Sequence, residues 1–160
     1  MIYKIPKDKF PNNISIKKFE KILYNTEIRT KWDTSFKELK VLESTDEYSI
    51  VYSRMNSPIK LFSEREFIEK VFRYSDDKCL YNFGTSVDDD LYKISDNVVR
   101  SVSYFDAYKI WIQDNFFCFS TISQINNKSY IPPSVFINFM PKVYSSWYDT
   151  LIKYISNNEI

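Results

Sequence analysis

After Pro132-Pro133 the chain carries Phe136, Phe139, Met140, Val143, Trp147, Leu151, Tyr154 and Ile155 at helical spacing. Proline in a first turn is a helix-start signal, because its missing N–H is one that the helix end leaves unbonded anyway. One long helix with this many large side chains on one side needs a broad, concave apolar partner. The segment before it supplies a candidate. Residues 117–125 read as a strand, followed by the polar turn Asn126-Asn127-Lys128-Ser129. A curved sheet that grips a single helix leaves room for an internal cavity.

The chain has 160 residues, which predicts one domain over 1–160. A chain of this size buries roughly 68–70% of its unfolded surface, enough for a real core. Aromatic residues make up 18%, with 13 Tyr and 13 Phe, consistent with many strands around an apolar interior. Gly84 is the only glycine, so glycine-rich phosphate loops and dinucleotide fingerprints are excluded. With no histidine, the commonest general base and metal ligand are missing. No cofactor or metal is expected. Lys plus Arg is 22 against 21 Asp plus Glu, a balance that gives no basic footprint for nucleic acid. Cys79 and Cys118 form no CxxC or metal spacing and read as buried thiols in a reduced compartment. No apolar run approaches the ~18 residues of a membrane span, and residues 1–7 lack the apolar centre of a signal peptide. The expected location is the cytoplasm.

Along the chain, residues 1–5 read as a strand ended by Pro6, with Pro11-Asn12-Asn13 capping a following helix. Ile16, Phe19, Ile22 and Leu23 form that helix's apolar stripe, and a further helical turn covers 26–32. Residues 36–44 and 48–55 make a hairpin around Ser44-Thr45-Asp46-Glu47. Phe67, Ile68, Val71 and Phe72 give 63–74 a helical period, so the residues alone leave that segment ambiguous. Residues 79–87, 98–105, 108–113 and 116–125 read as strands, the last two turning at Asp114-Asn115. Antiparallel strands followed by one long helix define an α+β class with the helix on one face of the sheet.

Four motifs in order resemble the START lipid-transfer domain. Arg29-Thr30-Lys31-Trp32-Asp33 is similar to R-x-x-W-D. Ser63-Glu64-Arg65-Glu66-Phe67 is similar to S-x-R-D-F, with Glu66 in place of Asp. Ser86-Val87 followed by Val99-Arg100 is similar to the family's S-V and V-R. Residues 126–132 resemble D-x-x-G-x-I-P, with Asn126 and Ser129 as departures, and Val135-Phe136-Ile137-Asn138 resembles the start of its last helix. The resemblance implies a helix-grip fold: a curved antiparallel sheet wrapped on the C-terminal helix, with an internal apolar tunnel. It makes 65–74 a strand. START domains are longer than this chain, which matches them from inside the pattern, so the N-terminal strands are expected to be absent and the sheet to show an open edge.

The resemblance also implies a ligand site. Arg29 and Asp33 match an Arg–Asp pair that meets the phosphate region in a related phosphatidylcholine carrier, although an i,i+4 pair is equally an ordinary helix salt bridge. Phe67 and Tyr104 match two aromatic positions of its choline cage, and Ser53, beside Tyr52, falls where that carrier has Trp. Phe136, Phe139, Met140 and Val143 are expected to face the ligand. Leu91, Tyr92 and Ile94, in the loop after Asp88-Asp89-Asp90, are expected to form the tunnel gate. The implied partner is one lipid, a phospholipid before a sterol or ceramide, taken up by a monomer during transient membrane contact. Two other classes stand beside this one. The chain fits a lipid-sensing or docking domain of a larger protein. A helix-grip enzyme such as a cyclase, with Asp33, Glu66 or Tyr104 as acid or base, is weakened by the absence of histidine, and no enzymatic activity is expected.

Overall fold

Alternation of side chains carries most of this chain into one antiparallel sheet. The computed structural model describes residues 2–10, 14–57, 63–87, 92–93, 96–129 and 132–157, without the side chains of Pro133 and Phe136. The strands are β1 (Ile2–Pro6), β2 (Phe36–Ser44), β3 (Ser49–Met55), β4 (Arg65–Ser75), β5 (Cys79–Ser86), β6 (Val99–Arg100), β7 (Val102–Gln113) and β8 (Phe116–Asn126). The helices are α1 (Ile16–Tyr24), α2 (Thr26–Trp32) and α3 (Pro133–Asn157). The sheet order is β1-β8-β7-β5-β4-β3-β2, with the short β6 paired in parallel to β4. β1 and β2 therefore lie at the two ends of this path. Register slips at Phe36/Glu38 and Val41/Glu43 in β2 and at Ser103/Phe105 in β7 bend these strands and add to the sheet's twist. This is the helix-grip α+β architecture.

Most elements fall where the sequence puts them, and the departures have physical causes. β4 is a strand despite its helical spacing. Pairing with β3 and β5 on both sides buries Phe67, Ile68 and Val71 on alternating faces, which a periodicity rule reads as helix. The expected strands at 98–105 and 108–113 differ from the observed ones: β7 runs unbroken through Asp106-Ala107, because pairing on both sides outweighs weak local preference. The cap of α1 is Ser15, whose Oγ accepts Lys18 N–H at 3.2 Å; Pro11-Asn12-Asn13 lies outside the described residues. Such a cap contributes about 0.5–2 kcal/mol. Asn25 ends α1 and starts α2, accepting Ile28 N–H at 2.9 Å and so fixing the elbow between them. Both cysteines are free; Cys118 is buried and Cys79 half-buried.

The core lies toward one end of the sheet. Ile16, Phe19, Ile22 and Leu23 of α1 meet Leu80, Ile110 and Phe117 of the sheet and Leu151 and Ile155 of α3. Phe10, Phe19 and Phe117 form a ring triangle with centroids 4.9–5.4 Å apart. The opposite, outer face carries exposed aromatics, among them Phe72, Tyr74, Tyr81 and Phe83.

On the outer face Glu66 and Arg100 are buried together, at 0% and 3% exposure. Arg100 donates to Glu66 Oε1 from Nε at 3.0 Å and Nη2 at 2.8 Å, and to the Lys93 carbonyl at 3.3 Å. The Tyr52 hydroxyl donates to Glu66 Oε2 at 3.1 Å. Removing one partner of such a pair strands the other charge without water. Arg100→Met is expected to lower unfolding stability by about 3–5 kcal/mol in urea titration, and the double variant E66L/R100M to recover most of that loss. Equal losses in the single and double variants would show that the pair is not the source.

Candidate functional site

The grip of α3 on the rest of the chain centres on Asp33. Trp147 of α3 donates its indole N–H to Asp33 Oδ2 at 2.8 Å, and Arg29 Nε donates to the same oxygen at 3.1 Å. Ser35 N–H donates to Oδ1 at 3.2 Å, and the Ser35 hydroxyl also donates there. Asp33 is 2% exposed, so these donors replace the water that burial removes. Beneath this knot the Trp32 and Trp147 rings meet edge-on at 5.5 Å, and Trp147 lies 5.7 Å from the Phe119 ring. The space between sheet and helix is nearly filled here, with a void of about 10 Å³ beside Phe19, Ile110, Phe117, Trp147 and Leu151.

The N-terminal half of α3 is held differently. Val135 and Ile137 are 42% and 71% exposed, while Phe139, Met140 and Val143 are half-buried. Pro141 sits inside this half and brings no N–H to the helical ladder. Below it runs the inner face of the sheet. Register places Phe67, Glu69 and Val71 of β4, Asn82 and Gly84 of β5, and Asp106 and Tyr108 of β7 on that face, with Leu80 and Ile110 of the core.

A polar belt separates the filled end from the rest. Arg29 lies 4.9 Å over the Phe36 ring and donates from Nη1 to the Leu23 carbonyl at 3.0 Å. Arg73 lies 4.1 Å over Tyr24, and the Tyr24 and Tyr108 rings stack at 6.0 Å. Burial pushes the Tyr108 phenol up, with the Arg29 charge opposing. Burial likewise raises the Asp106 carboxyl, again with Arg29 opposing. The Tyr144 phenol of α3 is raised by burial, then by Asp106 and Tyr3, whose ring lies 6.0 Å away. Glu69 is pushed up to about 7, first by burial; the Ser103 hydroxyl lowers it and Asp106 raises it. A carboxyl of this kind is half neutral near pH 7 and changes charge with small shifts in its surroundings.

Arg29 and Asp33 are paired, Phe67 lies on the inner face of β4, and Phe139, Met140 and Val143 are half-buried on α3. Asp33 is engaged by Trp147 as well as Arg29. Tyr52 pairs opposite Ile68 and lies on the outer face, bonded to Glu66. Tyr104 sits at the β7 bulge with its side chain 55% exposed. Asp33 and Glu66 lie on opposite faces of the sheet and do not meet. Leu91 and Ile94 lie outside the described residues, as does the Phe136 side chain; Tyr92 is half-buried. Sequence reasoning missed Glu69 and Asp106. Each is one acidic residue within a strand, and only pairing across β4, β5 and β7 puts them side by side. Among the described residues no group of three or more Cys, Asp or Glu side chains stands ready for a metal ion, and no helix is long and apolar enough to cross a membrane.

No family model and no curated protein matches this sequence. Solved structures do match its fold. Human STARD10 superposes with a TM-score of 0.73 at 20% identity, covering 96% of this chain and 62% of its own. The human StAR-related lipid transfer protein 5 gives 0.73 at 21% identity, covering 86% and 70%. The human StarD13 (DLC2) lipid transfer and protein localization domain gives 0.71 at 17%, covering 96% and 74%. The chain thus has the fold of START domains over less than two thirds of the STARD10 length.

Replacing Trp147 by Phe keeps the ring and removes the N–H, leaving Asp33 one donor short. The expected loss is about 1–3 kcal/mol, and the amides of α3 should exchange with deuterium faster than those of β7. The Glu69 shift has a sign that can be checked. The folded carboxyl keeps its proton to about 7 and the unfolded one releases it near 4.5, so folding takes up a proton between these values. Stability from this group is full below the lower value and is lost as pH rises through the upper one. Glu69→Gln, which does not ionise, should therefore gain melting temperature over the native chain by more near pH 8 than near pH 5. An equal difference at both would place the Glu69 titration elsewhere.

Proposed function

We propose that this chain binds one lipid on the inner face of the sheet, under the N-terminal half of α3, and carries it between membranes. The observation that carries this reading is the uneven grip of α3. Its C-terminal half packs closely on the core, while its N-terminal half leaves Val135 and Ile137 exposed and Phe139, Met140 and Val143 only half-buried, apolar surface to be covered by something else. Acyl chains fit that need, since each buried CH₂ stabilises a complex by about 0.8 kcal/mol. The matching fold in proteins described as lipid transfer proteins supports the same reading.

A glycerophospholipid is the preferred ligand, ahead of sterol or ceramide. Arg29, at the polar belt, offers a charged donor of the type that takes phosphate, and the Trp32 and Phe36 rings beside it offer apolar wall. The chain acts as a carrier and not as a catalyst in this reading, as a single domain over 1–160, a monomer that touches membranes only in passing. The helix half that contains Pro141 would move to admit the lipid. Docking within a larger assembly is the second reading. One of the structural neighbours is described as a protein localization domain, and the exposed outer aromatics Phe72, Tyr74, Tyr81 and Phe83 give such a role a surface.

Native mass spectrometry of the purified chain after incubation with phospholipid vesicles decides between them. One glycerophospholipid per chain, together with accelerated transfer of a fluorescent phospholipid between vesicles, is the expected result. Binding without transfer would favour the docking role. A folded chain that takes up no lipid would overturn the proposal.

A further inference from the structure

At Gly84 the inner face leaves a hollow of about one methyl group that backbone geometry does not require. Gly84 is the only glycine in the chain, and its φ is not positive. Its missing side chain serves space and not conformation, and glycine within a strand often marks close approach by another group. A Cβ at this position would stand 3.6 Å from Glu69 Oε1, 3.7 Å from Val71 Cγ2 and 3.8 Å from the Asp106 carbonyl oxygen. Gly84 pairs with Val71 on one side and Asp106 on the other, so the Glu69 and Asp106 side chains flank it on the inner face. The Ser103 hydroxyl is fully buried, completes no hydrogen bond of good geometry, and lies beside the Glu69 carboxyl. Tyr144 of α3 is near enough for the Asp106 charge to raise its phenol.

Resting on the lipid-binding reading above, we infer that Glu69, Asp106 and Ser103 around Gly84 form a seat for the primary ammonium of a lipid headgroup. The groups facing the hollow are rich in acceptors and carry excess negative charge. Arg29 acts on Asp106 from the side, but its Nε and Nη1 are already committed to Asp33 and the Leu23 carbonyl. An ammonium with three N–H donors satisfies two carboxyls and a hydroxyl at once, in charge-assisted bonds. A choline headgroup has no N–H to offer the carboxyls and the hydroxyl, and depends instead on aromatic faces such as those of Tyr108 and Tyr144 near Asp106. A lone hydroxyl brings one donor and no charge. With phosphate toward Arg29 and ammonium toward Glu69 and Asp106, the belt and the seat read a zwitterionic headgroup from its two ends.

The test is headgroup selection from mixed vesicles. The purified full chain is incubated with vesicles of equal parts phosphatidylethanolamine and phosphatidylcholine, separated from them, and its bound lipid identified by mass spectrometry. One extra charge-assisted bond corresponds to about tenfold selection, so the native chain should enrich the ethanolamine lipid about tenfold. Glu69→Gln with Asp106→Asn should reduce that enrichment below about twofold. Gly84→Ala, whose Cβ would meet its neighbours at ordinary van der Waals distance, should reduce it as well. Bound lipid with no headgroup preference in the native chain overturns the seat and leaves lipid binding standing, whatever the variants do. A preference that survives in folded E69Q/D106N also overturns it. Uptake of neither lipid overturns the seat together with the reading it rests on.

Discussion

The hydrogen bond from Trp147 to Asp33 is the contact on which the inner face depends. α3 has no strand partner and no covalent tie to the sheet beyond the chain itself, so its placement rests on what its side chains meet. Asp33 is buried, negatively charged and at the end of α2. A charge in that position needs donors from every side, and Arg29, Ser35 and Trp147 supply them from three different segments. Their convergence joins α2, the start of β2 and α3 at one point. The apolar contacts below it, Trp32 against Trp147 and Leu151 and Ile155 against the core, then hold the C-terminal half of the helix firmly.

From that anchor the helix divides into two parts with different physics. The anchored half excludes solvent and leaves a void of about 10 Å³, which is the packing of an ordinary core. The other half extends past the anchor with exposed Val135 and Ile137 and an internal proline. Few buried contacts and a missing helical N–H give it little local stability, the property expected of an element that opens. A carrier needs both: a fixed end to preserve the fold when the ligand leaves, and a weakly held end to let it pass.

The two faces of the sheet treat buried charge in opposite ways. On the outer face Glu66 is met by Arg100 and Tyr52, and the same arginine reaches the Lys93 carbonyl. That arrangement is complete and serves the fold. On the inner face Glu69 and Asp106 share a low-dielectric space without a matching cation of their own, and burial raises both carboxyls. Holding two such carboxyls together costs stability, a cost that a ligand with N–H donors would offset.

The sequence by itself determined the elements and their class. The stripes of α1 and α3, the Asp114-Asn115 hairpin and the run of strands are local patterns, set by side-chain period and turn chemistry, and they appear in the structure close to where periodicity puts them. Ordered motifs carried the helix-grip reading further, correctly making β4 a strand against its helical period. What only the tertiary structure decided was which residues share a face. Tyr52 looks like a neighbour of Phe67 in any list of aromatics, yet pairing opposite Ile68 turns it to the other side. Glu69, Gly84 and Asp106 are far apart in the chain and unremarked as single residues, and antiparallel pairing of three strands sets them side by side. Period is a property of neighbours along the chain, whereas a site is a property of register, which forms only when distant segments pair.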